Sequence, residues 1–146
     1  MNKGKKAAQL FKDGYNCCQA VLGAFCEDLG MDFQTAMMLS SSFGGGMGRM
    51  REVCGAVSGA FMVYGLKKGY SSPEDVKGKG DQYAIIQQMA ADFKAETGSI
   101  ICRELLSGMA DNKPIPSPRT GEYYKKRPCG ELVELAANIV EKYIAE

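Results

Sequence analysis

The stretch ELVELAANIVEKY, residues 131–143, decides the fold class. Its apolar side chains recur at helical spacing over three turns: Leu132, Leu135, Ala136, Ile139, Val140 and Tyr143. A recurrence at i, i+3, i+4 and i+7 places these side chains on one face of an amphipathic helix. The segment therefore predicts a helix whose apolar face must be buried against neighbouring helices.

The same helical spacing recurs along much of the chain, and we find no two-residue alternation typical of strands. Further helices are predicted at about residues 3–13, 17–29, 33–39, 52–66, 73–97 and 100–106. Asn16, Asp32 and Ser99 each stand where a side chain can cap a helix start. The sequence of residues 72–75, Ser-Pro-Glu-Asp, is typical of the start of another helix. We therefore expect an all-α protein, a compact bundle of five to seven helices.

Two segments interrupt this pattern within what we expect to be one domain, residues 1–146. Residues 40–48, SSSFGGGMG, contain three consecutive glycines and predict a tight corner, because glycine is unfavourable inside a helix. Residues 109–127 contain three alternating prolines, which exclude helix and favour an extended loop. Such long loops in small domains are commonly functional.

The composition excludes several classes of function, because the chain has no histidine. It also contains six cysteines. Ser-His-Asp and Cys-His catalysis, Cys₂His₂ zinc sites and facial-triad iron all require histidine. A formal net charge of +1 gives no electrostatic argument for nucleic acid or for an anionic membrane. We see neither a secretory signal nor a stretch that could insert into a membrane, so a cytoplasmic location is expected.

The cysteines are therefore the main candidates for chemistry. No two have CxxC spacing, so any cooperation must occur between helices in space. Four lie near predicted helix starts, where the helix dipole and neighbouring cations favour the thiolate and lower a thiol pKa. These four are Cys17, Cys54, Cys102 and Cys129. Cys54 is the expected attacking thiol, because it follows the glycine corner and two arginines. Cys18 and Cys26 lie inside a helix and are expected to pack in the core.

Four segments resemble a family described as redox-active and named for a C-GCAxxG-C-C pattern of cysteines. They are NCCQAVLGAF (16–25), FGGGMGRMREVCGAVSGA (43–60), CRELL (102–106) and RPCGELVELAANIVEKY (127–143). The resemblance implies that the family's four cysteines are Cys17, Cys54, Cys102 and Cys129, with Gly55, Ala56 and Gly59 as the glycine motif. The order here is Cys-Gly-Ala, whereas the family label has Gly-Cys-Ala. Family members are often encoded near transporters.

These observations lead to three hypotheses about function. In the first, the four cysteines converge and perform thiol–disulfide exchange as an oxidoreductase, without a cofactor, on a small molecule or a redox partner. In the second, the same four cysteines bind zinc or an iron–sulfur cluster for sensing, transfer or electron transport. In the third, the chain is a non-catalytic interaction protein that binds a partner through residues 109–127.

The glycine corner is a candidate site for an anionic group. Backbone N–H groups of Gly45 and Gly46, flanked by Arg49 and Arg51, can cradle an anion. The corner lacks the GK[ST] signature of a P-loop, and its simpler interpretation is a tight connection between helices. Two methionines near Cys54, at positions 47 and 50, also raise the possibility of a Cu(I) site, although methionines in helical bundles usually fill the core.

Overall fold

Helices dominate the computed structural model, which describes residues 2–106, 112–116, 119 and 128–145. Numbered in chain order, seven helices are α1 (Lys3–Lys12), α2 (Cys17–Phe25), α3 (Phe33–Ser40), α4 (Gly55–Lys68), α5 (Val76–Thr97), α6 (Cys102–Leu105) and α7 (Cys129–Ile144). Two short 3₁₀ turns, Glu27–Leu29 and Ser41–Phe43, follow α2 and α3. Within these described ranges there is no strand, and the prediction of a compact all-α domain is confirmed.

Helix α2 lies at the centre of the bundle. Almost all of its residues are buried, and it packs against α1, α3, α4 and α7. A helix that is apolar on all sides must be surrounded in this way. Helix α7 presents the face predicted from its sequence, with Leu132, Ala136, Ile139 and Val140 all buried. Helix α5 packs against α4 and α7 and buries little more than Met89 and Phe93.

Two glycines bring the backbones of α2 and α4 into close contact. A Cβ atom at Gly59 would lie 2.9 Å from both the Cys18 carbonyl oxygen and Val21 Cβ. A Cβ atom at Gly55 would lie 3.2 Å from Cys17 Cβ. Such distances are shorter than ordinary van der Waals contacts, so a larger residue would push the helices apart. The small residues of α4 therefore serve a helix contact within the chain.

Several helix boundaries differ from the sequence prediction. Helix α5 begins at Val76 after the Asp75 cap and not at the predicted Pro73, because the Asp75 side chain accepts the Gly78 N–H. Residues 52–54 pair with residues 100–102, so α4 begins at Gly55 and α6 at Cys102. Ser99 does not cap α6, because its Oγ accepts the Ile101 N–H instead. The predicted helix over residues 17–29 ends at Phe25 and continues as a 3₁₀ turn. In each case a tertiary or local hydrogen bond replaces the next helical one.

The backbone of the glycine corner adopts the left-handed helical conformation. Residues 45–49 all have φ between 61° and 70°, and Arg51 has φ 63°. A left-handed conformation costs a residue with a Cβ about 1–2 kcal/mol, so Met47, Arg49 and Arg51 are held there against their preference. Backbone hydrogen bonds from residues 51 and 52 to the carbonyls of Gly45 and Gly46 stabilise the corner.

Most of the predicted proline-rich loop, residues 109–127, lies outside the described residues. The described parts of it are residues 112–116 and Arg119. None of the helices that the structure describes combines the length and the apolar character needed to cross a membrane.

Candidate functional site

The starts of four helices meet at a cavity of about 430 Å³. The four cysteines predicted at helix starts line it: Cys17, Cys54, Cys102 and Cys129. Three of them are the first residue of α2, α6 and α7, and Cys54 immediately precedes α4, so their predicted placement at helix starts is confirmed. The bundle therefore brings together residues that are up to 112 positions apart in the sequence, from position 17 to position 129.

Asn16 fixes the start of α2 and with it Cys17. Its side chain accepts the Gln19 backbone N–H at 2.9 Å, and the Gln19 side chain accepts the Asn16 N–H at 3.0 Å. This reciprocal pair is a capping box. Asn16 Nδ2 also donates to the Ser41 carbonyl at 3.1 Å. The first turn of α2 is therefore tied to the segment that leads into the glycine corner.

Cys54 and Cys102 are positioned by the backbone pairing of residues 52–54 with 100–102. The Cys54 N–H donates to the Ile100 carbonyl at 2.8 Å, and the Cys102 N–H donates to the Glu52 carbonyl at 2.6 Å. Arg51 is 5% exposed, and its Nη1 donates to Cys102 Sγ at 3.6 Å. A guanidinium in contact with a sulfur favours the thiolate form of that sulfur.

Cys17 and Cys129 both lie in the cavity wall, and the Cys129 thiol is the strongest influence on Cys17. Hydrogen bonding with that thiol is the largest of the effects that raise the pKa of Cys17 well above its ordinary value of 9.0. Burial raises that pKa further, as do the charges that Cys129, Cys54 and Cys102 carry as thiolates. The four sulfurs thus lie in one electrostatic environment, where each thiolate disfavours the next.

The expectation that Cys54 has a lowered pKa is wrong. Burial raises the pKa of Cys54 to about 12, against an ordinary value of 9.0. The N–H groups of Val57 and Ala56 act in the opposite direction at the helix start, but burial outweighs them. The helix dipole and the neighbouring arginines are local features of the sequence, whereas the cost of removing the thiolate from water depends on the tertiary fold.

The remaining two cysteines lie in the core. Cys18 and Cys26 are fully buried, and the Cys18 sulfur lies 3.7 Å from the Met62 sulfur. Burial raises the pKa of Cys18 to about 12. None of the six cysteines, all of which are described, forms a disulfide in the structure.

Three arginines also line the cavity. The predicted anion-binding residues of the corner, Gly45, Gly46, Arg49 and Arg51, all contribute to its wall. Arg49 Nη1 donates to the carbonyls of Lys113, at 2.6 Å, and Ile115. No carboxylate belongs to the described lining residues, so their formal charge is positive.

Arg119 is a lining residue that sequence reasoning missed. Its guanidinium donates to the carbonyls of Phe11 and Tyr15 and lies 4.3 Å above the Phe11 ring. A single arginine in an aperiodic, proline-rich segment carries no local pattern. Its role depends on a contact with α1, more than 100 positions away.

The next feature of the site is its set of candidate metal ligands. Among the residues that the structure describes, no group of three or more Cys, Asp or Glu is placed to hold a metal ion. Met50 is 60% exposed and is absent from the described cavity wall, so the suggested trio of Met47, Met50 and Cys54 does not face the cavity together.

The fold and the site thus define a helical protein with a cavity lined by four cysteines. A family model described as "Putative redox-active protein (C_GCAxxG_C_C)" matches residues 15–143, and the chain belongs to this family. The comparisons with curated proteins and with solved structures gave no match.

Proposed function

We propose that this protein is a thiol–disulfide oxidoreductase whose reacting pair is Cys17 and Cys129. The observation that carries the proposal is that both thiols lie in the wall of one cavity large enough for a small substrate, where the Cys129 thiol is the main influence on the pKa of Cys17. A disulfide forms when the two sulfurs approach to a bond length of about 2 Å. Membership of a family described as redox-active supports the same conclusion.

We assign the attack to Cys129 and the resolving step to Cys17. The pKa of Cys17 is raised well above its ordinary value, which makes Cys17 a poor attacking thiolate at neutral pH. Cys129, which is partly buried as Cys17 is, begins the 16-residue helix α7, whose dipole favours a thiolate. This assignment replaces Cys54, because a thiol with a pKa of about 12 is almost entirely protonated at neutral pH.

Metal or cluster binding by the four cysteines is the alternative. It requires at least three sulfurs directed at one point, and the described residues contain no such group. The strong influence of the Cys129 thiol on Cys17 instead favours a dithiol that cycles with a disulfide. We further propose a cytoplasmic location, where a reducing environment keeps the dithiol available. The third hypothesis, binding through residues 109–127, falls mainly on residues outside the described ranges.

The proposal can be tested by single-turnover oxidation of the reduced protein with 2-hydroxyethyl disulfide. We expect a loss of about 2 Da that dithiothreitol reverses, and peptide mapping should locate the new disulfide at Cys17 and Cys129. Cys129→Ser should abolish the reaction, whereas Cys17→Ser should accumulate a mixed disulfide on Cys129. Cys26→Ser, at a buried cysteine outside the cavity, is the matched control and should react normally.

A second measurement separates the alternatives. A native mass spectrum of anaerobically prepared protein should show the mass of the chain alone. Excess mass that matches zinc, or iron with sulfide, and that disappears on denaturation would overturn the dithiol proposal in favour of metal binding. A disulfide that maps to a different pair would overturn the assignment of Cys17 and Cys129.

A further inference from the structure

We propose that the substrate of this site is a small organic disulfide that carries a carboxylate, bound by Arg49, Arg51 and Arg119. The inference rests on the proposed function and specifies its substrate class. It combines three properties of one cavity: the sign of its charged side chains, its apolar wall and the thiol pair at its surface.

The charged side chains favour an anion. Three guanidinium groups and no carboxylate occur among the described lining residues. Arginine presents a planar set of donors that matches a carboxylate in a two-point contact. Arg51 is anchored at the Cys102 sulfur, whereas Arg49 and Arg119 are anchored by carbonyl groups. The anchoring orients the three cations without requiring the ligand to order them, which reduces the cost of binding.

The glycine corner supplies a backbone wall beside these cations. A Cβ atom at Gly46 would lie 2.7 Å from Cys102 Cβ, so only glycine permits this approach. The left-handed conformation of residues 45–49 costs free energy that the surrounding hydrogen bonds must offset. Backbone strain of this kind is often retained at sites that bind ligands. Here it places Arg49 and Arg51 at the cavity wall.

The size and the apolar wall favour an organic molecule over an inorganic oxyanion. A cavity of about 430 Å³ lies within the range of small-molecule sites. Its apolar lining includes Phe11, Leu105, Leu106 and Leu132. An inorganic anion would leave this surface unused, whereas the methylene groups of an organic disulfide would cover it. A ligand with an apolar body, a central disulfide and a terminal carboxylate therefore matches each part of the wall.

The reaction balances without a further cofactor. The Cys129 thiolate attacks one sulfur of the substrate disulfide, a mixed disulfide forms, and the first substrate half leaves as a thiolate that takes up a proton. Cys17 loses its proton to solvent and attacks Cys129 Sγ, which releases the second half as a thiolate that takes up a proton from solvent. The protein dithiol is oxidised by two electrons to a disulfide, and the substrate is reduced to two thiols.

The experiment compares three small disulfides of similar size and different charge. 3,3′-Dithiodipropionate carries two negative charges, 2-hydroxyethyl disulfide is neutral, and cystamine carries two positive charges. The second-order rate of Cys17–Cys129 disulfide formation is measured for each in a single turnover. Each rate is divided by the rate of the same disulfide with free dithiothreitol, which removes differences in intrinsic reactivity.

We expect the normalised rate for the anion to exceed that for the neutral disulfide at least tenfold, and cystamine to be the slowest. Arg49→Gln and Arg119→Gln should each reduce the ratio of the anionic to the neutral normalised rate several-fold. Arg103→Gln is the matched control, because the Arg103 side chain is 57% exposed and pairs with Glu52. Circular dichroism of each variant verifies the fold.

The two proposals fail in different ways. Equal normalised rates for the anionic and neutral disulfides, or a preference that both arginine variants leave unchanged, would overturn the inference and leave the proposed function intact. If none of the three disulfides oxidises the Cys17–Cys129 pair, both proposals fail.

Discussion

Replacing Gly59 with alanine tests the close contact that carries Cys17 to the cavity. The new methyl group would lie 2.9 Å from the Cys18 carbonyl oxygen and from Val21 Cβ, so α2 and α4 must separate. Overpacking of this kind costs about 1–3 kcal/mol. Alanine also restores about 1 kcal/mol of helix propensity, so we expect a net loss of up to about 2 kcal/mol.

Gly65→Ala is the matched control in the same helix. At this position a Cβ atom meets nothing closer than the Gln82 side-chain nitrogen at 3.8 Å. Only the propensity gain remains, and we expect stabilisation of about 0.5–1 kcal/mol.

Urea unfolding followed by circular dichroism measures both variants against the parent chain. In a separate thermal melt, the melting temperature should fall by about 2–4 °C for each kcal/mol of stability that is lost. Gly59→Ala should also slow formation of the Cys17–Cys129 disulfide, because α2 begins with Cys17. If Gly59→Ala and Gly65→Ala are equally stable, the two helix backbones are not in the contact described, and the reasoning is refuted.

Three further predictions concern thiol chemistry and the helix cap. Iodoacetamide at pH 8 should modify Cys54 about 1,000-fold more slowly than a thiol with a pKa of 9.0, because a pKa of about 12 lowers the thiolate fraction by that factor. Labelling rates are measured by mass spectrometry, and a rate equal to that of an ordinary thiol would contradict this prediction. Cys18 and Cys54 each have a raised pKa in the folded state, so the stability that their protonated thiols contribute is complete below pH 9 and is lost as the pH rises toward 12. Over this range the free energy of unfolding should fall by about 1.4 kcal/mol per pH unit for each thiol. Urea melts from pH 8 to 11 should show this slope, and Cys18→Ala should reduce it. Asn16→Ala should cost about 1 kcal/mol and change the reactivity of Cys17, whereas Asn2→Ala, which removes the equivalent cap of α1, should cost a similar amount and leave Cys17 unchanged.

Local patterns determined much of the fold. The spacing of Leu132, Ala136, Ile139 and Val140 predicted the buried face of α7, because a helix repeats its side-chain directions every 3.6 residues whatever it packs against. Asn16 was identified as a cap for the same reason, since a cap acts within three residues of its own position. The helix-start placement of the four cavity cysteines followed from these boundaries.

Other boundaries could not be predicted from local patterns. Residues 52–54 have a sequence that suits a helix, but their backbone groups bond to residues 100–102. Ser99 was expected to cap a helix, yet its hydroxyl accepts the N–H of Ile101. In both cases the competing partner is set by a turn or by a distant segment, which periodicity does not record.

The same distinction between local sequence and tertiary structure applies to the chemistry of the site. The sequence by itself determined which residues could react, since it has six cysteines, no histidine and two arginines at a glycine corner. Only the tertiary structure decided that Cys17 and Cys129 line the same cavity, that Cys54 is too buried to ionise readily, and that Arg119 reaches the cavity. The physical reason is that residue type and helix position are local properties, whereas burial, desolvation and contact depend on which helices pack together.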